Sequence, residues 1–182
     1  MRTNEHTPGT ADKGYIHVYT GNGKGKTTAA LGLALRSAGA GRKVFIGQFV
    51  KGMTYSEHHA LALLKEWITI ERFGRECFIY KEPTKEDIAC AQQGLSRMAD
   101  VLASGDYGLV VFDEATIALY YKLFTLADFM RVLALRPKGV DVAITGRYAP
   151  EPLILAADLV TEMKEIKHYY TKGVMAKVGI EK

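Results

Sequence analysis

The chain has 182 residues, 48% of them hydrophobic and 24% charged, with a formal net charge of +4. This length and balance suit one globular domain with a substantial core. They exclude a spanning helix, because no run of about 20 apolar residues occurs, and the scattered lysines and arginines exclude the basic blocks of a nucleic-acid binder.

Residues 1–13 are polar, carry Pro8 and Gly9, and lack an apolar stretch. They read as a flexible N-terminal segment rather than a secretory signal, and residues 14–182 as one nucleotide-binding domain. The first strand is predicted over 15–19, Tyr15-Ile16-His17-Val18-Tyr19. It runs into Thr20-Gly21-Asn22-Gly23-Lys24-Gly25-Lys26-Thr27-Thr28, and an Ala/Leu-rich helix follows over 27–38, closed by Gly39. A glycine-rich turn between strand and helix, ending in Gly-Lys-Thr, is a phosphate-binding pattern. The glycines let backbone N–H groups of residues 21–28 approach phosphate oxygens. Lys26 supplies a point charge, and the Thr27 hydroxyl can ligate Mg²⁺. The usual spacing G-x-x-x-x-G-K-[ST] would put a glycine at Thr20; here the first glycine is Gly21, so the loop is one residue tighter.

Further along, the pattern predicts a strand over 43–48, a loop over 49–54, a helix over 57–66 and a strand over 68–72. An aperiodic loop covers 73–83. Thr84-Lys85-Glu86-Asp87 is a helix start, for a helix running to 103. The apolar run Leu109-Val110-Val111-Phe112 predicts a strand closing in Asp113-Glu114, followed by a helix or turn through Tyr121. A helix over 126–135 stops before Pro137, a strand over 141–145 leads to Gly146-Arg147, and a short helix covers 152–157. A last strand is expected over 160–164, with an extended, strand-like tail to Lys182. Strands alternating with helices predict a single-domain α/β fold, a mostly parallel sheet with helices on both faces. Ligands of such sheets sit at the carboxyl ends of strands. The glycine-rich loop, Gln48-Phe49, Asp113-Glu114 and Gly146-Arg147 all fall at such ends.

Asp113-Glu114 after four apolar residues is a Walker B arrangement, able to hold Mg²⁺ directly or through water. The alternative is that one of them simply caps the next helix. Arg147 can neutralise triphosphate oxygens or pair with a surface acid. Gln48 and Lys51 can touch nucleotide or second substrate. Phe73, Phe78 and Tyr80 can form an apolar wall for a flat ligand or pack their loop onto the domain. His58 and His59 are adjacent on a helix, do not face each other, and are expected in solvent. Trp67 and Tyr120-Tyr121 are expected in the core or at its rim. Cys77 and Cys90 match no metal spacing and need no disulfide, so cytoplasmic residence is the default.

Taken together, Y-T-G-N-G-K-G-K-T-T-A-A at 19–30, G-Q-F-V-K-G at 47–52, V-F-D-E-A-T at 111–116, I-T-G-R at 144–147 and the tail motifs V-T-E-M-K-E-I-K-H and K-G-V-M-A-K-V-G-I-E resemble the ATP:corrinoid adenosyltransferases, a family with a RecA-like P-loop fold. The resemblance covers residues 14–182. It implies transfer of the 5′-deoxyadenosyl group of ATP to cobalt(I) of a corrinoid, with release of triphosphate. It implies that Gly21, Asn22, Gly23, Lys24, Gly25, Lys26, Thr27 and Thr28 clamp ATP together with Arg147. Lys26, Thr27 and Glu114 would be catalytic, and Thr27, Asp113 and Glu114 would hold Mg²⁺ or Mn²⁺. The family's loop pattern G-F-x-W aligns loosely with Cys77-Phe78-Ile79-Tyr80, which implies Phe78 and Tyr80 at the lower face of the corrinoid. A homodimer and a reductase supplying electrons to cobalt are implied as partners, with neither nucleic acid nor membrane. The alternatives are a RecA-like ATPase or small-molecule kinase, with Glu114 polarising water or a hydroxyl, and a nucleotide-dependent binding module.

Overall fold

The computed structural model describes residues 13–75 and 82–182. Phe78 and Tyr80, and most of the N-terminal segment, lie outside the described residues. Among the described residues six strands form one sheet: β1 (Ile16–Thr20), β2 (Val44–Phe49), β3 (Ile68–Phe73), β4 (Leu109–Asp113), β5 (Asp141–Thr145) and β6 (Leu159–Glu162). Their order is β3-β2-β4-β5-β1-β6, and every pairing is parallel, so the expected mostly parallel sheet is wholly parallel among the described residues. The α-helices are α1 (Lys26–Gly39), α2 (Ser56–Ala62), α3 (Lys85–Ser104), α4 (Ala115–Tyr120), α5 (Leu126–Ala134) and α6 (Glu151–Ala156).

Two core layers explain the near-continuous apolar runs of the central strands. Phe45, Val110, Phe112, Val142 and Ile144 point to one face and pack with α3 and α5 residues such as Leu95, Met98 and Phe129. Val44, Ile46, Leu109, Val111 and Ala143 point to the other and pack under α1. A strand covered on both faces has no polar side to alternate with. On α1 the buried residues Ala30, Ala34 and Ala38 recur every four positions, and their small side chains let the helix lie close to the sheet. On α3 the buried Ala91, Leu95, Met98 and Leu102 hold the same helical period. Removing a ring such as Phe112, fully buried here, would cost about 3–5 kcal/mol.

Helix starts follow local chemistry. Thr84 Oγ1 accepts from the Asp87 N–H at 3.2 Å, and Asp87 Oδ2 accepts from the Thr84 N–H at 2.9 Å, closing a capping box on α3. α1 differs: its N-cap is Gly25 at φ 116°, and no acidic residue occupies its first turn. Its first N–H groups therefore carry no side-chain cap, as an anion-receiving helix end requires.

Several expected boundaries are corrected. Gly39 lies within α1, and the chain turns at Ala40 and at Gly41, whose φ is 78°. α2 ends at Ala62, and residues 63–67 form turns that leave Trp67 41% exposed at the rim. The tail is not strand-like: after β6 it makes a 3₁₀ turn at Tyr169–Lys172 and further turns to Lys182. Its stability comes from distant partners. The Gly23 N–H donates to Met163 O at 2.6 Å, and Ser56 Oγ donates to Lys182 O at 3.0 Å.

Candidate active site

The loop strand β1 and the carboxylate strand β4 are not neighbours; β5 lies between them. Thr145, at the end of β5, bridges the gap. Its hydroxyl donates to Asp113 Oδ1 at 2.7 Å and accepts from the Glu114 N–H at 2.9 Å. On the other side the Thr27 hydroxyl, on the first turn of α1, donates to the same Asp113 Oδ1 at 2.8 Å. The fold thus brings Thr27, Asp113 and Glu114 together. Glu114 is held at φ 56°, a left-handed conformation that costs a non-glycine residue some strain.

Asp113 is 1% exposed. Burial alone would push its carboxyl up. The Lys51 ammonium, with hydrogen bonds from Lys51, Thr145 and Thr27, outweighs burial and holds it below the ordinary carboxylate value. Lys51 Nζ lies 2.8 Å from Asp113 Oδ2 and 3.4 Å from Thr27 Oγ1, and Asp113 raises the lysine pKa in return, against the effect of burial. Gln48, fully buried, donates from Nε2 to Asp113 Oδ2 at 3.0 Å, while its Oε1 has no partner among the described residues. Glu114 behaves oppositely to Asp113. Burial, then the neighbouring Asp113 charge, raises its pKa against Lys51, Lys26 and Arg147.

Lys26 is folded onto its own loop, donating to Gly21 O at 2.8 Å and Gly23 O at 2.7 Å. Burial lowers its pKa, with Glu114 opposing. Asn22, Lys24 and Thr28 are exposed at the loop surface. The loop's tightness has a steric reason. A Cβ on Gly23 would sit 2.7 Å from Met163 O, and one on Gly21 2.6 Å from the same oxygen, because the tail passes directly over the loop.

A cavity of about 710 Å³ opens from Thr27, Lys51 and Glu114, walled by Leu31, Tyr55 and the tail near Ile180. Arg147 is exposed and lines a second cavity of about 450 Å³ with Glu165, His168 and Tyr170, across the tail from the first. The two cavities share Ala176 and Glu181. The expected solvent position of the histidine pair is half corrected. His59 is exposed, but His58 Nδ1 accepts from the Tyr55 N–H at 2.9 Å, capping α2, and its Nε2 is buried. Tyr120 is exposed and stacks on Tyr148 with ring centroids 4.4 Å apart. Phe73 is buried and packs on Phe49.

Sequence reasoning gave no role to Thr145 and did not anticipate the packing of the tail over the loop. A threonine ending an apolar strand one residue before a glycine was the only signal for the first.

A divalent ion fits this donor set. One hydroxyl and two carboxylates converge, and a lysine ammonium already lies against two of them as a cation would. No group of three or more His, Cys, Asp or Glu side chains among the described residues could hold a metal. One hydroxyl and one or two carboxylates would suit Mg²⁺, with substrate phosphates and water completing its coordination.

The model of a protein family described as ATP:corrinoid adenosyltransferase BtuR/CobO/CobP matches residues 12–181. Corrinoid adenosyltransferase of Pseudomonas aeruginosa is 36% identical over 171 residues, covering 93% of this chain and 84% of that protein. That of Escherichia coli K12 is 33% identical over 170 residues, covering 93% and 86%. Corrinoid adenosyltransferase CobA of Salmonella typhimurium is 35% identical over 178 residues, covering 93% and 86%. Among solved structures, flagellar accessory protein FlaH of Methanocaldococcus jannaschii aligns with TM-score 0.54 over 85% of this chain and 73% of that one. At 14% identity that likeness speaks for the fold alone.

Proposed function

This chain belongs to the ATP:corrinoid adenosyltransferase family, and on that premise we propose how its residues carry out the transfer. The enzyme is a transferase of RecA-like α/β fold. It moves the 5′-deoxyadenosyl group of ATP to the cobalt(I) of a corrinoid. The cobalt electron pair forms a bond to ribose C5′, the C5′–O bond breaks, and its electron pair leaves with the triphosphate. Reduced cobalt is already a strong nucleophile, so the protein supplies orientation and charge stabilisation rather than a base.

The observation that carries this reading is the position of the cations relative to the cavity. Lys51 and the first-turn residues Thr27 and Thr28 of α1 line the 710 Å³ space, and Lys26 directly precedes them at the uncapped start of the helix, where these groups can hold a polyanionic leaving group. The rest of that space is lined largely by apolar residues such as Leu31, Met53 and Ile180. In our reading Gly21–Thr28 cradle the triphosphate. Lys26 leaves the Gly21 and Gly23 carbonyls for phosphate oxygens, and Arg147 reaches the nucleotide from the second cavity. Thr27, Asp113 and Glu114 hold Mg²⁺ or Mn²⁺, which when bound lowers the charge of the leaving chain. Phe78 and Tyr80, outside the described residues, contact the lower face of the corrinoid.

We further propose a cytoplasmic homodimer served by a separate reductase. Among the described residues no helix is long and apolar enough to cross a membrane. The direct test is incubation with MgATP and chemically reduced corrinoid, followed by absorbance. We expect the adenosylcorrinoid spectrum. Its absence under conditions where ATP binds would sink the proposal.

A further inference from the structure

Two lysines face the candidate triphosphate site, and each rests on an acceptor belonging to the protein. Lys26 sits on loop carbonyls. Lys51 sits on the atoms that the reading above gives to the metal: Asp113 Oδ2 at 2.8 Å and Thr27 Oγ1 at 3.4 Å. We propose that Lys51 is a built-in stand-in cation. It fills the metal position while nucleotide is absent, and the arriving metal–triphosphate displaces its ammonium onto the polyphosphate. The proposal rests on the metal reading of this site.

Asp113 is almost wholly buried, and an uncompensated carboxylate there would be costly. The ammonium meets that need before any ligand arrives. It cannot stay once a divalent ion takes the same oxygen, since two cations would then lie within about 4 Å of each other in a shielded site. The triphosphate offers the displaced charge a new partner.

The backbone at this point is pinned, so only the side chain can respond. Val50 is held at φ 59°. Gly74 presses so close that a Cβ there would lie 2.5 Å from the Lys51 backbone nitrogen. Arg72 Nη1 donates to Gly52 O at 2.8 Å. The lysine's flexible four-carbon stem provides the travel, and the adjoining cavity provides the room. Among the described residues Glu57 and Glu114 both favour its charge, and the Tyr55 ring lies 5.8 Å from it. Lys51 would thus link metal entry to nucleotide entry. Each alone meets a site already balanced in charge, and the two together replace the lysine.

The test measures Mn²⁺ binding to nucleotide-free protein by electron paramagnetic resonance of the unbound ion, and MgATP binding by calorimetry. It compares wild type with Lys51→Met and Lys51→Gln. The proposal predicts opposite shifts. Mn²⁺ affinity rises about tenfold or more in both variants, the scale of one shielded charge contact, while MgATP affinity falls. A purely structural lysine would weaken both together. Lys51→Gln retains an N–H donor toward Asp113, so it carries the comparison if Lys51→Met melts early. Mn²⁺ affinity that is unchanged or lower in the folded variants overturns the proposal, as does MgATP affinity that does not fall. Failure of every protein, the Lys51 variants included, to bind Mn²⁺ would instead overturn the metal reading on which it rests.

Discussion

The Thr145 hydroxyl donates to Asp113 Oδ1 at 2.7 Å, and through that bond a strand lying between the loop strand and the carboxylate strand fixes the carboxylate. The Thr145 hydroxyl oxygen also accepts from the Glu114 N–H at 2.9 Å. Thr145→Val removes both bonds in a fully buried place and should cost about 1–3 kcal/mol. Thr145→Ser keeps the hydroxyl and should recover most of that loss. Denaturant titration of the two variants checks this. A loss in Thr145→Ser with none in Thr145→Val would show that the methyl group, not the hydroxyl, matters.

Lys26→Ala should reduce turnover by about 10²–10³-fold, the usual scale for removing one preorganised charge-stabilising donor. Its partners in the free protein are carbonyls of an otherwise intact loop, so the melting temperature should change little. Steady-state assays and thermal melts report the two quantities separately.

Glu114 gives a pH signature in the nucleotide-free, metal-free protein. Burial and the Asp113 charge raise its folded-state pKa above the ordinary 4.5. The unfolded chain then releases this proton more readily, so ionised Glu114 costs stability above its folded pKa. Below the ordinary value both states are protonated and the cost vanishes. Glu114→Gln should therefore stabilise the protein at neutral pH, by about 2–4 °C per kcal/mol recovered, with the gain shrinking as pH falls toward that value. Adenosyl transfer should fall in the same variant. Melts from neutral to acidic pH check the sign, and a gain that grows toward acid would contradict it.

Gly23 and Gly25 should fail for different reasons. Gly23→Ala would drive a Cβ against Met163 O and lift the tail from the loop. Gly25→Ala has room, with its nearest neighbour 4.0 Å away, but forces an alanine to φ 116°. Both should weaken ATP binding. Only the first should expose residues 163–182 to protease, which limited digestion would reveal.

The contrast between β2 and the tail explains what was legible in the sequence. All six residues of β2 are buried, and such a strand announces itself as an apolar run. Asp113-Glu114 was visible because a strand ends there at a carboxylate pair. The tail packs through single long-range bonds, such as Gly23 N–H to Met163 O, and these leave no period to read. Lys51 is similar: its partner lies 62 positions away, and nothing in Q-F-V-K-G indicates whether that lysine meets substrate, metal or solvent. The residues around Phe78 were assigned by resemblance to a family pattern, and they lie outside the described residues.

The central claim concerns which bond of ATP breaks. Phosphorus NMR of a reaction with MgATP and reduced corrinoid reads it directly. The account predicts intact triphosphate, formed in a one-to-one ratio with adenosylcorrinoid. ADP and phosphate as the products, with no cobalt–carbon bond formed, would contradict it.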